Sequence, residues 1–362
     1  MIKALKTRQI CLFVIVFLPI MKFFMMPSVL AECADRDLWI SVTVNFLIDV
    51  STVSFALFLL KDENADFFGL IEKRFGKTVG KIFMAAYAVY FLLKTLMPVN
   101  EQKDYVEYTL YITDPHLLTF MPVFAVIFYL SLQKLRVWGR LSDGIFIIAL
   151  FGYSLLFALS VPNTNPEELL PIGASGIDGV LKGSIKTQNW FGDGVYFLFF
   201  TGEYVKSKKS ELKILIAYLI SFLITLIFVA IFYGTFSSIA FRQKFALTEI
   251  CKYTTVIDNI GRFDYFALFE LLFTAIFSMA IPFYFAINLL TRLFSANKPT
   301  LVAIIVCSAA AAFHIFFDQY FVTVQNLILN VASWYFLALG SVLPIITCFL
   351  LKGAKKNEEQ IG

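Results

Sequence analysis

The chain has 362 residues, of which 59% are hydrophobic and only 15% charged, and its mean hydropathy is +0.78. Soluble globular proteins hold apolar residues near about 45–50% and charged ones near about 25%, so this composition excludes an ordinary soluble protein, and also a disordered, collagenous or coiled-coil chain. A net charge of +4, with basic residues scattered among short loops, excludes nucleic acid as a partner.

A membrane-spanning helix needs about 20 mainly apolar residues, and apolar windows set against polar punctuation predict ten spans. The first covers residues 8–30. Lys3, Lys6 and Arg8 ahead of an apolar run resemble a signal peptide, and Leu30-Ala31-Glu32-Cys33 faintly resembles a lipoprotein cleavage box. Lys22 interrupts that run, however, and apolar character resumes at Phe23, so the segment reads as a broken membrane helix. Spans two to five follow at 38–60, 79–99, 117–133 and 141–161, and spans six to ten at 188–205, 212–236, 263–293, 300–316 and 327–351. Residues 66–81 have helical spacing at Phe68, Ile71 and Phe75 and are expected to lie along the inner interface, as a partner-docking element or a plain connector. Of 30 basic residues, 20 fall in segments on the side of the N-terminus, 8 on the other side, and Lys22 and Lys94 lie within spans. That bias places both termini in the cytoplasm. Forty-two Phe, 16 Tyr and 4 Trp suit lipid-facing surfaces and interfacial belts.

Ten spans divide into residues 1–161, an external connector at 162–187, a second five-span unit at 188–351 and a cytoplasmic tail at 352–362. Five spans per half force opposite orientations, the condition for an inverted repeat. The first span of each half carries a helix breaker in mid-membrane: Pro19 and Pro27 around Lys22 in span one, and Gly192-Asp193-Gly194 in span six. Matching interruptions point to a midplane site, because unwound backbone is tolerated only where it is buried in protein or lines a cavity.

Charges inside a bilayer are costly, about 2.5–3.5 kcal/mol each at a helix centre on the insertion scale. Lys22 and Asp193 sit at the two breaks and are expected to meet as a charge pair. Two readings of that pair stand: a lock between the broken helices, and a functional gate or coupling site. Asp49, Lys94 and Glu270 also lie in apolar sequence, with Glu270 a candidate proton carrier and the bland alternative a local hydrogen bond. Glu203 reads as interfacial, and His314 with Asp318 as a helix cap. His116, His314 and five separated cysteines have no metal-ligand spacing, so neither metal nor cofactor is expected. Cys11, Cys307 and Cys348 read as small buried hydrophobes, while a Cys33–Cys251 disulfide is left open. No nucleophile–base set or phosphate-cradling loop is present, and an enzyme is not expected.

The segments MMPSVLAECADRDLWIS (from Met25), FFGLIEKRFGKTVGK (from Phe67), LRVWGRLSD (from Leu135) and IGRFDYFALFE (from Ile260), in this order and with ten spans, resemble the spore germination permeases, the membrane B subunits of nutrient germinant receptors. The resemblance extends over nearly the whole chain. It implies an all-α polytopic membrane fold with a five-plus-five inverted repeat like that of LeuT, as in the amino acid, polyamine and organocation transporters. It further implies a small-molecule site, usually for an amino acid, between the unwound middles of spans one and six. Mapped onto this sequence, that site takes Pro19, Met21, Lys22, Phe23 and Met26 from span one and Phe191, Gly192, Asp193 and Gly194 from span six. The superfamily's span-one break is Gly-rich, whereas this chain has Pro19, Met21, Lys22 and Phe23 there. Lys22 is left either to bind a carboxylate or to stand where a coupling cation would. The expected function is nutrient binding and germination signalling in the spore inner membrane with A-type and C-type receptor subunits. The alternatives are a proton-coupled amino acid permease acting alone, through Glu270 or Asp193, and a closed scaffold that binds nothing.

Overall fold

The computed structural model describes residues 5–59, 66–110, 116–200, 204–205, 208–253 and 264–351. The fold is an all-α membrane bundle. α1 (Thr7–Ile20) and α2 (Met26–Ala34) form the broken first span, followed by α3 (Leu38–Leu59), the short α4 (Phe67–Phe75), α5 (Lys77–Leu110), α6 (His116–Ser131) and α7 (Leu135–Ser160). α8 (Gly176–Lys186) and α9 (Val195–Phe200) flank the second break; α10 (Ser210–Phe236), α11 (Ala246–Tyr253), α12 (Asp264–Leu293), α13 (Pro299–Phe316), α14 (Phe321–Leu327) and α15 (Ser333–Leu337) follow. Two π-turns, Ile328–Ala332 and Ala338–Val342, bracket α15. Seven helical segments among the described residues are long and apolar enough to cross a membrane, and Thr7–Ile20 and Pro122–Ser131 are shorter apolar helices. Large apolar side chains such as Ile147, Phe316 and Val322 are exposed on the outside of the bundle, as a lipid-facing surface requires.

The helix before the second break was not expected. Hydropathy starts span six at residue 188 and makes 162–187 a connector, because Asp178, Lys182, Lys186 and four glycines hold that stretch down. The structure shows α8 running straight into the break. Two of its glycines are contact points: a Cβ on Gly179 would meet Cys33 O, and one on Gly183 would meet Ser41 Oγ, Leu30 and Cys33, so glycine lets α8 lie close against α2 and α3. Polar bonds hold the same seam. Ser41 Oγ donates to Val180 O (2.9 Å), Asn45 Nδ2 to Ser184 O (3.1 Å), and Gln188 Nε2 to Asn45 Oδ1 (2.7 Å).

The two ends of the bundle differ. At one end, β1 (Leu5–Lys6) pairs in parallel with β2 (Tyr204–Val205) beside α4. Asp66 caps α4 by accepting from Gly69 N, and Arg292 at the end of α12 pairs with Asp66 and with Glu72 (3.3 Å). Phe68 and Ile71 are buried there, whereas Phe75, expected on the same face, is exposed where Gly76 at φ +90° ends the helix. At the other end, buried Lys103 pairs with Asp318 and with Glu107 (3.2 Å), and Lys244 with Asp104 (2.6 Å). Asp318 is thus an ion-pair partner, and no disulfide joins Cys33 to Cys251. Glu203 and the 352–362 tail lie outside the described residues, as does the side chain of Glu270 in α12.

Candidate functional site

Two prolines shape the break in span one. Pro19 stands in the last turn of α1, where it lacks an N–H to continue the ladder, and Pro27 stands in the first turn of α2, where a missing N–H is harmless. Five residues, Met21 to Met25, bridge the gap, and several of their backbone groups are bonded. Lys22 N bonds to Pro19 O (2.8 Å), the carbonyls of Phe23 and Phe24 accept from Leu247 N and Ala246 N at the start of α11, and Met25 N reaches the Glu101 carboxylate (3.4 Å). Phe23 itself is packing, its ring stacked 3.9 Å from that of Phe228.

Glycine geometry shapes the break in span six. Gly192 has φ +75°, a left-handed conformation that a side chain would strain, and its Cα abuts Gly340 in the second π-turn and the Tyr90 hydroxyl. Gly194 lies against Thr52 and the Asp49 carbonyl of α3. The exposed amides beyond the break are capped by Asp49, whose carboxylate accepts from Gly192 N (3.0 and 3.1 Å) and Asp193 N (3.3 Å), and also from Tyr218 Oη (2.9 Å). A carboxylate placed there also meets the positive end of the α9 dipole. On the carbonyl side, Tyr90 Oη donates to Gly192 O (3.2 Å) and Lys94 Nζ to Phe191 O.

The two breaks face each other through charges. Lys22 Nζ lies 2.5 Å from Asp193 Oδ2 and donates to Leu18 O (2.8 Å), at the negative end of α1. Lys94 Nζ lies 3.4 Å from Asp193 Oδ1, so one buried carboxylate is shared by two buried ammoniums. The Lys22 ammonium also sits 5.1 Å from the centre of the Phe191 ring. Charge pairs of this kind survive burial only when their remaining hydrogen-bonding capacity is met, and here backbone carbonyls of both breaks meet it.

Small cavities flank the pair. One of about 30 Å³ is lined by Met21, Lys22, Lys94, Asn189, Asp193 and Tyr196 among others, and one of about 20 Å³ by Lys22, Phe191, Asp193 and Tyr218. The larger has room for about two waters, so the site is closed. A cavity of about 530 Å³ lies at the α4 end, with Phe199 and Phe285 in its wall. Phe285 contacts Tyr196 at 5.6 Å and Phe199 at 4.5 Å between ring centres, so packed aromatic rings, Phe285 on the vestibule side and Tyr196 on the other, lie between this vestibule and the charged centre.

Of the residues singled out from sequence, Met21, Lys22, Phe191 and Asp193 line these small cavities. Pro19, Phe23, Met26, Gly192 and Gly194 build the breaks without lining them. Asp49 and Lys94, read from sequence only as charges in apolar runs, belong to the centre. Sequence reading missed Tyr90, Tyr218, Asn189, Trp190 and Glu101. Glu101, on α5, accepts from Trp190 Nε1 (3.0 Å) and so ties span three to both breaks. Its one sequence signal was the polar run Asn100–Lys103, taken as a loop, whose four side chains are all buried.

A family model described as spore germination protein matches residues 4–322. No curated protein matches the sequence. Among solved structures, the chain is similar to a manganese transporter of Eremococcus coleocola in complex with an aromatic bis-isothiourea substituted compound, with a TM-score of 0.62 and 14% identity over 94% of this chain and 78% of that one. Two single-residue variants of the same transporter match with TM-scores of 0.61 at 14% and 13% identity, over the same shares. At this identity the likeness is one of fold. Among the described residues no cluster of His, Cys, Asp and Glu is arranged to hold a metal ion.

Proposed function

The chain belongs to the spore germination protein family, and from that premise we propose that it is the membrane-embedded, B-type subunit of a nutrient germinant receptor. In this reading the two five-span units, residues 1–161 and 188–351, form the inverted repeat, and a small nutrient, an amino acid or related metabolite, binds where their breaks meet. The observation that carries the reading is the Lys22–Asp193 pair at 2.5 Å, shared with Lys94 and set between the breaks beside a cavity. A zwitterion exchanges with such a pair without leaving a buried charge alone: its carboxylate takes the two ammoniums and its ammonium takes Asp193. Exchange parts α1 from α9, and that movement is what A-type and C-type partner subunits would sense in the spore inner membrane. The bias of 20 basic residues to 8 supports cytoplasmic termini, with the α4 end inside.

Spores lacking the protein, scored against single nutrients, should lose the response to one nutrient class. Complementation with wild type should restore it and Lys22→Met should not, at equal protein level. A full response from Lys22→Met spores would sink the site assignment. The vestibule, parted from the centre by packed aromatic rings, favours a second reading, a permease acting alone. Nutrient uptake by vesicles holding only this chain distinguishes that reading.

A further inference from the structure

The 30 Å³ cavity has a fully buried carboxamide with nothing to do. Asn189, four residues before Asp193, is 1% exposed and lines the cavity, yet neither its Oδ1 nor its Nδ2 has a hydrogen-bond partner. Most of its polar neighbours in the wall are engaged. Thr95 Oγ1 donates to Leu92 O, Ser278 Oγ to Thr274 O, and Trp190 Nε1 to Glu101, while Lys22 and Lys94 hold Asp193 and backbone carbonyls. Buried carboxamides are almost always bonded, so an unpaired one facing a cavity marks a place meant for something else. Asn189 also lies within the turn that precedes the break, between α8 and the charged centre, where a ligand that parts Lys22 from Asp193 must arrive.

We propose that Asn189 is the residue by which the site selects its ligand. This rests on the midplane-site reading above. The charged groups at the breaks take the ligand's charges, and Asn189 takes an uncharged polar group that both donates and accepts, a hydroxyl or a carboxamide. The ligand class is therefore a polar metabolite carrying such a group, not an apolar amino acid. A site built to bond a polar group discriminates strongly against the analogue lacking it, because its own buried polar group is then left unpaired.

The test uses the full-length purified chain in lipid nanodiscs, titrated with probe pairs matched in size: serine against alanine, threonine against valine, asparagine against leucine. Wild type should bind the polar member of at least one pair about 10-fold or more tightly. Asn189→Leu should bring that ratio to within about 2-fold. Asn189→Ala, which removes the carboxamide without adding bulk, should do the same if the leucine variant does not fold. Lys22→Met should weaken both members of the pair. A preference that survives in both Asn189 variants overturns the assignment and leaves the carboxamide holding only water. A wild-type preference for apolar members also overturns it. No binding of any probe to wild type removes the midplane site itself, and this proposal with it.

Discussion

Removing Asp193 should damage the fold more than removing Lys22. The ammoniums of Lys22 and Lys94 lie 2.5 and 3.4 Å from its carboxylate, and at an effective dielectric constant of about 20 the bare attractions are about 7 and about 5 kcal/mol. Desolvation offsets much of this, and loss of one partner from a buried pair leaves a net cost of about 3–5 kcal/mol. Asp193→Asn strands two ammoniums at once, because the Asp49 oxygens are already committed to Gly192 N, Asp193 N and Tyr218. Lys22→Met leaves Asp193 paired with Lys94. The expected losses are therefore about 4–5 kcal/mol for Asp193→Asn and about 2–3 kcal/mol for Lys22→Met. The double variant should lose less than their sum by at least about 1.5 kcal/mol. Reversible unfolding in mixed micelles, followed by circular dichroism for the four species, measures all three quantities. Equal losses for the two single variants, or additivity within about 0.5 kcal/mol, would refute the shared-carboxylate argument.

Gly192→Ala should destabilise by at least about 1–3 kcal/mol through its left-handed backbone, with the contacts to Tyr90 and Gly340 adding to that, whereas Gly144→Ala, with open space around it, should be close to neutral in the same unfolding assay. Glu101→Leu strands Trp190 Nε1 and should cost about 1–3 kcal/mol, while Glu101→Gln, which keeps an acceptor, should cost less; unfolding measurements on the two variants test the difference. Phe285→Ala removes the ring shared by Tyr196 and Phe199 and should cost about 3–5 kcal/mol while raising the rate at which a cysteine at Ser278, in an otherwise cysteine-free chain, reacts with a polar thiol reagent applied from the α4 end. Arg292→Gln should change stability by less than about 1 kcal/mol, because its carboxylate partners are partly exposed, and the same unfolding assay checks it.

The breaks and their charges were legible in the sequence for a simple reason. A lysine or aspartate in an apolar run is expensive, so it stands out, and Pro19, Pro27, Gly192 and Gly194 announce backbone that cannot remain helical. What joins Lys22 to Asp193 was therefore within reach, since the two lie at matching breaks of the two halves. Asp49 and Lys94 carried the same signal but could not be assigned partners, because pairing across three spans depends on rotations about helix axes that hydropathy does not encode. α8 escaped because it is only 11 residues long, glycine-rich and charged, and its stability comes from packing on α2 and α3 rather than from its own pattern. Asn189 and Glu101 escaped for the opposite reason. Glu101 sits in a polar stretch that reads as loop and Asn189 at the polar first turn of span six, and only the tertiary fold reveals that both are buried.

The closed centre has a consequence for what can open it. A two-state element moves only as far as a ligand's differential affinity for the two states allows. Here the closed state is held by one carboxylate between two ammoniums, with the Leu18 and Phe191 carbonyls drawn onto the lysines. A neutral ligand that separated them would leave buried charges unpaired, at about 3–5 kcal/mol, and would need that much extra contact energy before any net shift appeared. A ligand that brings its own charges replaces the contacts it breaks, and the only further free energy it must supply is that of moving the helices. The same reasoning makes Lys22→Met informative in a resting receptor: with Lys94 as the sole remaining partner the closed state is held less tightly, so a smaller ligand affinity suffices to open it, provided the ligand does not itself depend on Lys22. Loss of response in that variant therefore means lost binding, because the lock itself is weaker there.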